Sequence, residues 1–165
     1  MSPAVVIIGP MGSGKTRIGK RVAQQLGVGF TDTDALVVAE HGPISDLFET
    51  HGEPHFRALE RAAVQRALET DGVVSLGGGA ILDPATRHDL AGQRVALFLV
   101  SPEAVEARLG NERRPLVKDG LTSWTRILAE RLPLYESLAD LTVETSFRRA
   151  SEVAEEVAAW ARQSA

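Results

Sequence analysis

The amino-acid sequence predicts an α/β domain: a parallel sheet with helices on both faces. Three observations predict it. Short apolar runs rich in β-branched residues recur at residues 4–8, 73–76 and 95–100, as strands buried on both faces require. Stretches of helical period separate them, so strands and helices alternate along the chain. The first strand runs directly into Gly9-Pro10-Met11-Gly12-Ser13-Gly14-Lys15-Thr16, a complete G-x-x-x-x-G-K-[ST] pattern placed between strand and helix.

Each element has its own signal. Residues 15–26 carry Ile18, Val22, Ala23 and Leu26 on one stripe, and Gly27 takes the stop position. Residues 28–31 read as a second strand ending in Asp32-Thr33-Asp34. Residues 54–70 form a helix with Phe56, Leu59, Ala63, Ala67 and Leu68 inward and Arg61, Gln65 and Glu69 outward. The third strand, 73–76, ends at Gly77-Gly78-Gly79. Asp83-Pro84 is a cap followed by a first-turn proline, opening a helix to about Leu90, and Ser101-Pro102 repeats that signal after the fourth strand, 95–100. Residues 111–120 are polar and basic with no apolar period, which predicts a mobile loop. A helix over 122–132, a fifth strand over 141–143 and a closing amphipathic helix over 151–162 complete the chain.

Composition narrows the function classes. A chain of 165 residues with 44% hydrophobic and 24% charged residues suits one globular domain, here expected to span 1–165. The absence of cysteine excludes a disulfide framework, a thiol nucleophile and any Cys-based metal site. A net charge of −4 provides no global basic field for nucleic acid. No apolar stretch approaches the roughly 20 residues of a membrane span, and residues 4–8 follow no basic segment as a signal peptide would. The expectation is a soluble, cytoplasmic monomer with neither nucleic-acid nor membrane partner.

The glycine motif carries the most specific chemistry. Its glycines let the backbone curl so that successive N–H groups point at one anion, at the positive end of the following helix. Gly12, Ser13, Gly14, Lys15 and Thr16 would bind the phosphates of ATP or GTP, with Lys15 at the β- and γ-phosphates and the Thr16 hydroxyl on Mg²⁺. Asp32 and Asp34 leave the second strand two residues apart, and on an extended chain they share one side. They could divide metal binding and hydroxyl activation between them, or one could simply cap a helix. Arg57 and Glu60 stand at i,i+3; by spacing alone a surface ion pair is the simpler reading, and an anion-gripping arginine fixed by its glutamate is the other. The Gly77–Gly79 triplet calls for a turn or a close backbone approach to a ligand. Arg114 in the polar loop could fold over phosphates, and Arg131 stands near a helix end. His51 and His55 are separated by Gly52 and Pro54 and lack a third ligand, so ordinary surface histidines are expected, and Trp124 and Trp160 are read as packing residues.

In this order these segments resemble the shikimate kinases over essentially the whole chain. The set comprises the P-loop at 9–16, Asp32-Thr33-Asp34, Phe56-Arg57-x-x-Glu60, Gly77-Gly78-Gly79, Arg114-Pro115-Leu116 and Arg131-x-Pro133-Leu134-Tyr135. The resemblance implies a P-loop, nucleoside-monophosphate-kinase-like fold with strands ordered 2-3-1-4-5. It implies transfer of the ATP γ-phosphate to the 3-hydroxyl of shikimate, on the way to chorismate and the aromatic amino acids. It also implies roles: Asp34 on the substrate hydroxyls as the base, Asp32 on Mg²⁺ beside Thr16, and Arg57 and Arg131 on the carboxylate, with Glu60 fixing Arg57. Gly77, Gly78 and Gly79 would approach the substrate, the substrate-binding region being about 32–60. A lid at about 111–120 would deliver Arg114 to the phosphates. Arg108 is the weaker candidate, its spacing to Arg114 being one residue shorter than in the family. Ser146-Phe147-Arg148-Arg149 departs from the family's adenine-contacting segment, and there Arg148 or Arg149 is expected to stack on adenine. Arg17 stands where the family often has threonine. Other readings are a nucleotide kinase, gluconate kinase and a non-catalytic nucleotide switch; Asp-x-Asp with the glycine triplet suits a polyol acceptor better than a base.

Overall fold

The computed structural model describes residues 2–109 and 120–163. Its centre is β1 (Val5–Ile8), whose four side chains are all buried. It is followed by α1 (Lys15–Leu26), β2 (Phe30–Asp32), α2 (Thr33–His41), α3 (Ile44–His51), α4 (Glu53–Ala67) and β3 (Val73–Ser75). A single 3₁₀ turn (Ala80–Leu82) leads to α5 (Pro84–Leu90), β4 (Val95–Leu99) and α6 (Pro102–Leu109). Then come α7 (Gly120–Leu138), β5 (Leu141–Glu144) and α8 (Ala150–Gln163). The strands form one parallel sheet in the order β2-β3-β1-β4-β5, the order the resemblance implied.

Alternation along the strands explains the two layers of helices. Val5, Ile7, Ala96 and Phe98 face one side and pack with Ile18 and Val22 of α1 and Val153 and Val157 of α8. Val6, Ile8, Val74 and Leu97 face the other and pack with Val64 and Ala67 of α4 and Tyr135 of α7. The carboxyl ends of β1, β2 and β3 therefore lie side by side on one edge of the sheet, where ligands bind in open α/β folds.

Several boundaries differ from the sequence expectation. β2 begins at Phe30 rather than residue 28, because Gly27 at φ +69° turns the chain out of α1 and its amide closes onto the Gln24 and Ala23 carbonyls. Helix α2 follows from the capping alternative for the aspartates, whereas α3 has no sequence signal: both are short, and their breaks at Gly42-Pro43 and Gly52 leave too few turns for a stripe to stand out. α7 runs past the predicted end at Leu132 and through Pro133. A proline inside a helix forfeits one hydrogen bond, but Leu134, Tyr135 and Leu138 pack onto the sheet beyond it, and that burial holds the helix together. His51 ends α3 and His55 lies in the first turn of α4, with their rings 4.5 Å apart. No helix among the described residues is long and apolar enough to cross a membrane.

Candidate active site

At the end of β1 the loop of residues 9–14 bends through three glycines at positive φ: Gly9 (+148°), Gly12 (+83°) and Gly14 (+87°). Gly9 has a second reason to be glycine, since a Cβ there would lie 2.3 Å from the Phe98 carbonyl oxygen of β4. Every carbonyl of the loop is engaged. Lys15 Nζ donates to Gly9 O (2.7 Å) and Pro10 O (3.0 Å), and Ser13 Oγ also donates to Pro10 O (2.8 Å). Trp124 Nε1 donates to Met11 O (2.8 Å), Arg108 Nη1 to Gly12 O (2.7 Å), Thr145 Oγ1 to Ser13 O (2.9 Å) and Ile18 N to Gly14 O (2.8 Å). A peptide N–H points opposite the C=O of its own plane, so holding the Met11 and Ser13 carbonyls turns the Gly12 and Gly14 amides the other way, while the Ser13 amide closes the loop onto Pro10 O at 3.3 Å.

The two aspartates do not stay on an extended chain. Asp32 ends β2 and caps α2: its Oδ1 accepts from the amides of Asp34 (2.9 Å) and Ala35 (3.3 Å). Its Oδ2 accepts the Thr16 hydroxyl at 2.7 Å. Capping thus takes one oxygen and Thr16 the other. Asp34 sits in the first turn of α2, half-buried and turned toward Gly77. Burial, reinforced by the charge of Asp32, pushes its carboxyl above the usual range, against the pull of Lys15 and Arg57. Burial also lowers the Lys15 ammonium to about 8, although Asp34 and Asp32 oppose it.

The far end of the cleft is built against the glycine triplet. A Cβ on Gly77 would lie 2.5 Å from Asp34 Oδ1 and 3.0 Å from Glu60 Oε2, and one on Gly79 would lie 2.5 Å from Arg57 Nη1. On Gly78 it would meet Arg131 Nη1 at 3.5 Å. The triplet is therefore bare so that Asp34, Glu60, Arg57 and Arg131 can close onto the backbone. The Gly77 amide donates to the buried Thr33 hydroxyl (3.1 Å), and Tyr135 donates to Gly78 O (2.6 Å). Arg57 Nη1 donates to Glu60 Oε1 at 2.8 Å and Arg57 Nε to Glu53 Oε2 at 3.2 Å. Glu60 is only 3% exposed, so its pair with Arg57 is no surface pair; the glutamate holds the guanidinium in place. Burial raises the Glu60 carboxyl while Arg57 draws it down.

Both ends open into one cleft of about 880 Å³, lined by the loop, Thr16, Asp32, Asp34, Arg57, Glu60, the triplet and Arg131. Arg17, Arg108 and Arg148 line its nucleotide end, with Arg148 paired to Glu156 at 3.0 Å. Arg114 and nearly all of the 111–120 segment lie outside the described residues. Arg108, the weaker candidate by spacing, also donates to Thr145 O at 2.7 Å and so ties the start of the β5–α8 connection to the loop. Sequence reading takes Trp124 as packing alone and assigns nothing to Thr145; only spatial neighbourhood shows that both touch the loop.

A five-stranded 2-3-1-4-5 sheet, a fully braced phosphate cradle and a polar acceptor pocket define a P-loop kinase. The chain belongs to the shikimate kinase family: the family model "Shikimate kinase" matches residues 11–162. It is 46% identical over 158 residues to a shikimate kinase of Mycobacterium avium, covering 93% of this chain and 90% of that one. The solved shikimate kinase of Acinetobacter baumannii, in complex with shikimate, superposes with a TM-score of 0.91 at 29% identity over 99% of this chain and 94% of that chain. A gluconokinase of Sinorhizobium meliloti shares the fold at a TM-score of 0.68 and 21% identity, over 98% of this chain and 92% of that chain, and is the more distant neighbour.

Proposed function

We propose that this chain transfers the γ-phosphate of ATP to the 3-hydroxyl of shikimate, acting as one kinase domain over residues 1–165. The observation that carries the reading is the convergence of Asp34, Arg57, Glu60 and Arg131 on the glycine triplet, in the same cleft as the P-loop. Shikimate is a small polyol with one carboxylate. It needs a cationic fork and a proton acceptor, and this end of the cleft offers both. Arg57, braced by Glu60, and Arg131 hold the carboxylate; Asp34 takes the hydroxyl proton. As the acceptor oxygen bonds to the γ-phosphorus, the bond to the β-bridging oxygen breaks and its electron pair leaves with ADP. Lys15 and the amides of Gly12 and Gly14, with Ser13 between them, meet the phosphate charge. Arg114 joins them on the strength of the family resemblance, and Arg148 sits at the nucleotide end for the base.

Thr16 and Asp32 suit Mg²⁺: two oxygen donors stand together, as this hard ion prefers, with one Asp32 oxygen free of the capping amides. When bound with ATP, the ion neutralises phosphate charge. The cytoplasm, where ATP is plentiful, is the compartment this reaction suits, and one cleft holding both substrates requires no partner chain.

ADP release from Mg-ATP, measured with no acceptor, shikimate, gluconate or a panel of nucleoside monophosphates, tests the proposal. Stimulation by shikimate alone, with the new phosphate ester at the 3-position by phosphorus NMR, is the expected result. Stimulation by another acceptor in place of shikimate would overturn the substrate.

A further inference from the structure

Trp124 does more than fill space. Its ring is 5% exposed and packs with Val100, Ala104 and Val105, which fixes its orientation between the end of β4, α6 and α7. Its one polar group, the indole N–H, can only donate, and it donates to Met11 O, the apex of the phosphate loop, at 2.8 Å. The peptide plane that carries Met11 C=O also carries the Gly12 N–H. Holding the carbonyl outward aims that amide into the cradle. The neighbouring planes are held in the same way by Arg108 and Thr145, but Met11 lies at the loop's exposed crest: its own side chain is 52% exposed and gives the peptide little packing of its own.

We infer that Trp124 is a positioning residue of the phosphate cradle, fixing the Met11–Gly12 peptide for the nucleotide through its indole N–H. The inference rests on the nucleotide half of the function proposed above and is independent of the acceptor. Trp124→Phe keeps a six-membered ring in the same packing and removes the donor together with the five-membered ring that carries it, a packing loss read separately, from the melting temperature. It should weaken Mg-ADP binding by calorimetry, and raise the KM for ATP, about two- to tenfold, as loss of one hydrogen bond would. The KM for shikimate should stay within twofold. A second measurement leaves Trp124 untouched: in Trp160→Phe, where Trp124 is the sole tryptophan, saturating Mg-ADP should change the indole emission and shikimate alone should not. Equal Mg-ADP affinity in wild type and Trp124→Phe, with only a lowered melting temperature, would reduce Trp124 to packing and overturn the inference. So would an emission indifferent to Mg-ADP in the single-tryptophan protein. An error in the acceptor assignment would leave both ADP readouts unchanged.

Discussion

Asp34 and Lys15 work in a corner where burial opposes both charges, and the pH profile should record it. A base must be ionised to accept a proton. Because burial raises the Asp34 carboxyl, kcat/KM for shikimate should climb through an acid limb lying above the range of an ordinary aspartate. Lys15 must be protonated to meet phosphate. With its ammonium lowered to about 8, kcat/KM for ATP should fall as pH rises through that value. Titrating kcat/KM for each substrate from pH 5 to 10 separates the two limbs. Asp34→Asn should cost about 10²- to 10⁴-fold in kcat while ADP affinity and the circular dichroism spectrum stay as in wild type. Retention of most of the turnover would remove Asp34 from the role of base.

At the scale of elements, the glycine triplet and α7 act together. Gly79→Ala places a methyl where the Arg57 guanidinium lies, and the guanidinium, at the far end of a flexible side chain, gives way. On the role proposed for Arg57, the carboxylate grip should be lost without damage to the cradle: the KM for shikimate should rise about tenfold, as for losing one charge-assisted hydrogen bond, with the KM for ATP unchanged. α7 already meets this site through Arg131, and by continuing through Pro133 it also places Tyr135 under the triplet. Tyr135→Phe leaves the half-buried Gly78 carbonyl without that donor. It should cost about 1–3 kcal/mol, read from the shift in urea midpoint.

For the whole molecule, the central strand joins the two faces. β1 is hydrogen-bonded on both sides, and its side chains enter both helical layers, so a loss there is felt throughout. Ile7→Ala should destabilise by about 2–5 kcal/mol. Urea curves followed by far-ultraviolet dichroism and by tryptophan emission should coincide, because Trp124 and Trp160 belong to opposite parts of one cooperative unit. Two separated transitions would divide the single domain proposed for residues 1–165.

Much of the protein is written locally. Continuous apolar strands, helical stripes, glycine stops and the spacing of the phosphate motif act over a few residues, so the sheet, its alternation with helices and the cradle could be read directly from the chain. The acceptor residues were legible only as an ordered set resembling a family, because Asp34, Arg57, Gly79 and Arg131 become neighbours through the parallel crossovers and not through sequence distance. Tertiary structure alone decided what the local code left open. It made the Arg57–Glu60 pair buried rather than solvated, let Asp32 cap a helix with one oxygen while offering the other to Thr16, and carried α7 past a proline. It also set Arg108, Trp124 and Thr145 behind the carbonyls of a loop roughly a hundred residues away in the chain. The physical reason is common to all of these: burial and hydrogen-bond partnership between distant segments depend on which surfaces the fold presses together, and no local pattern encodes that.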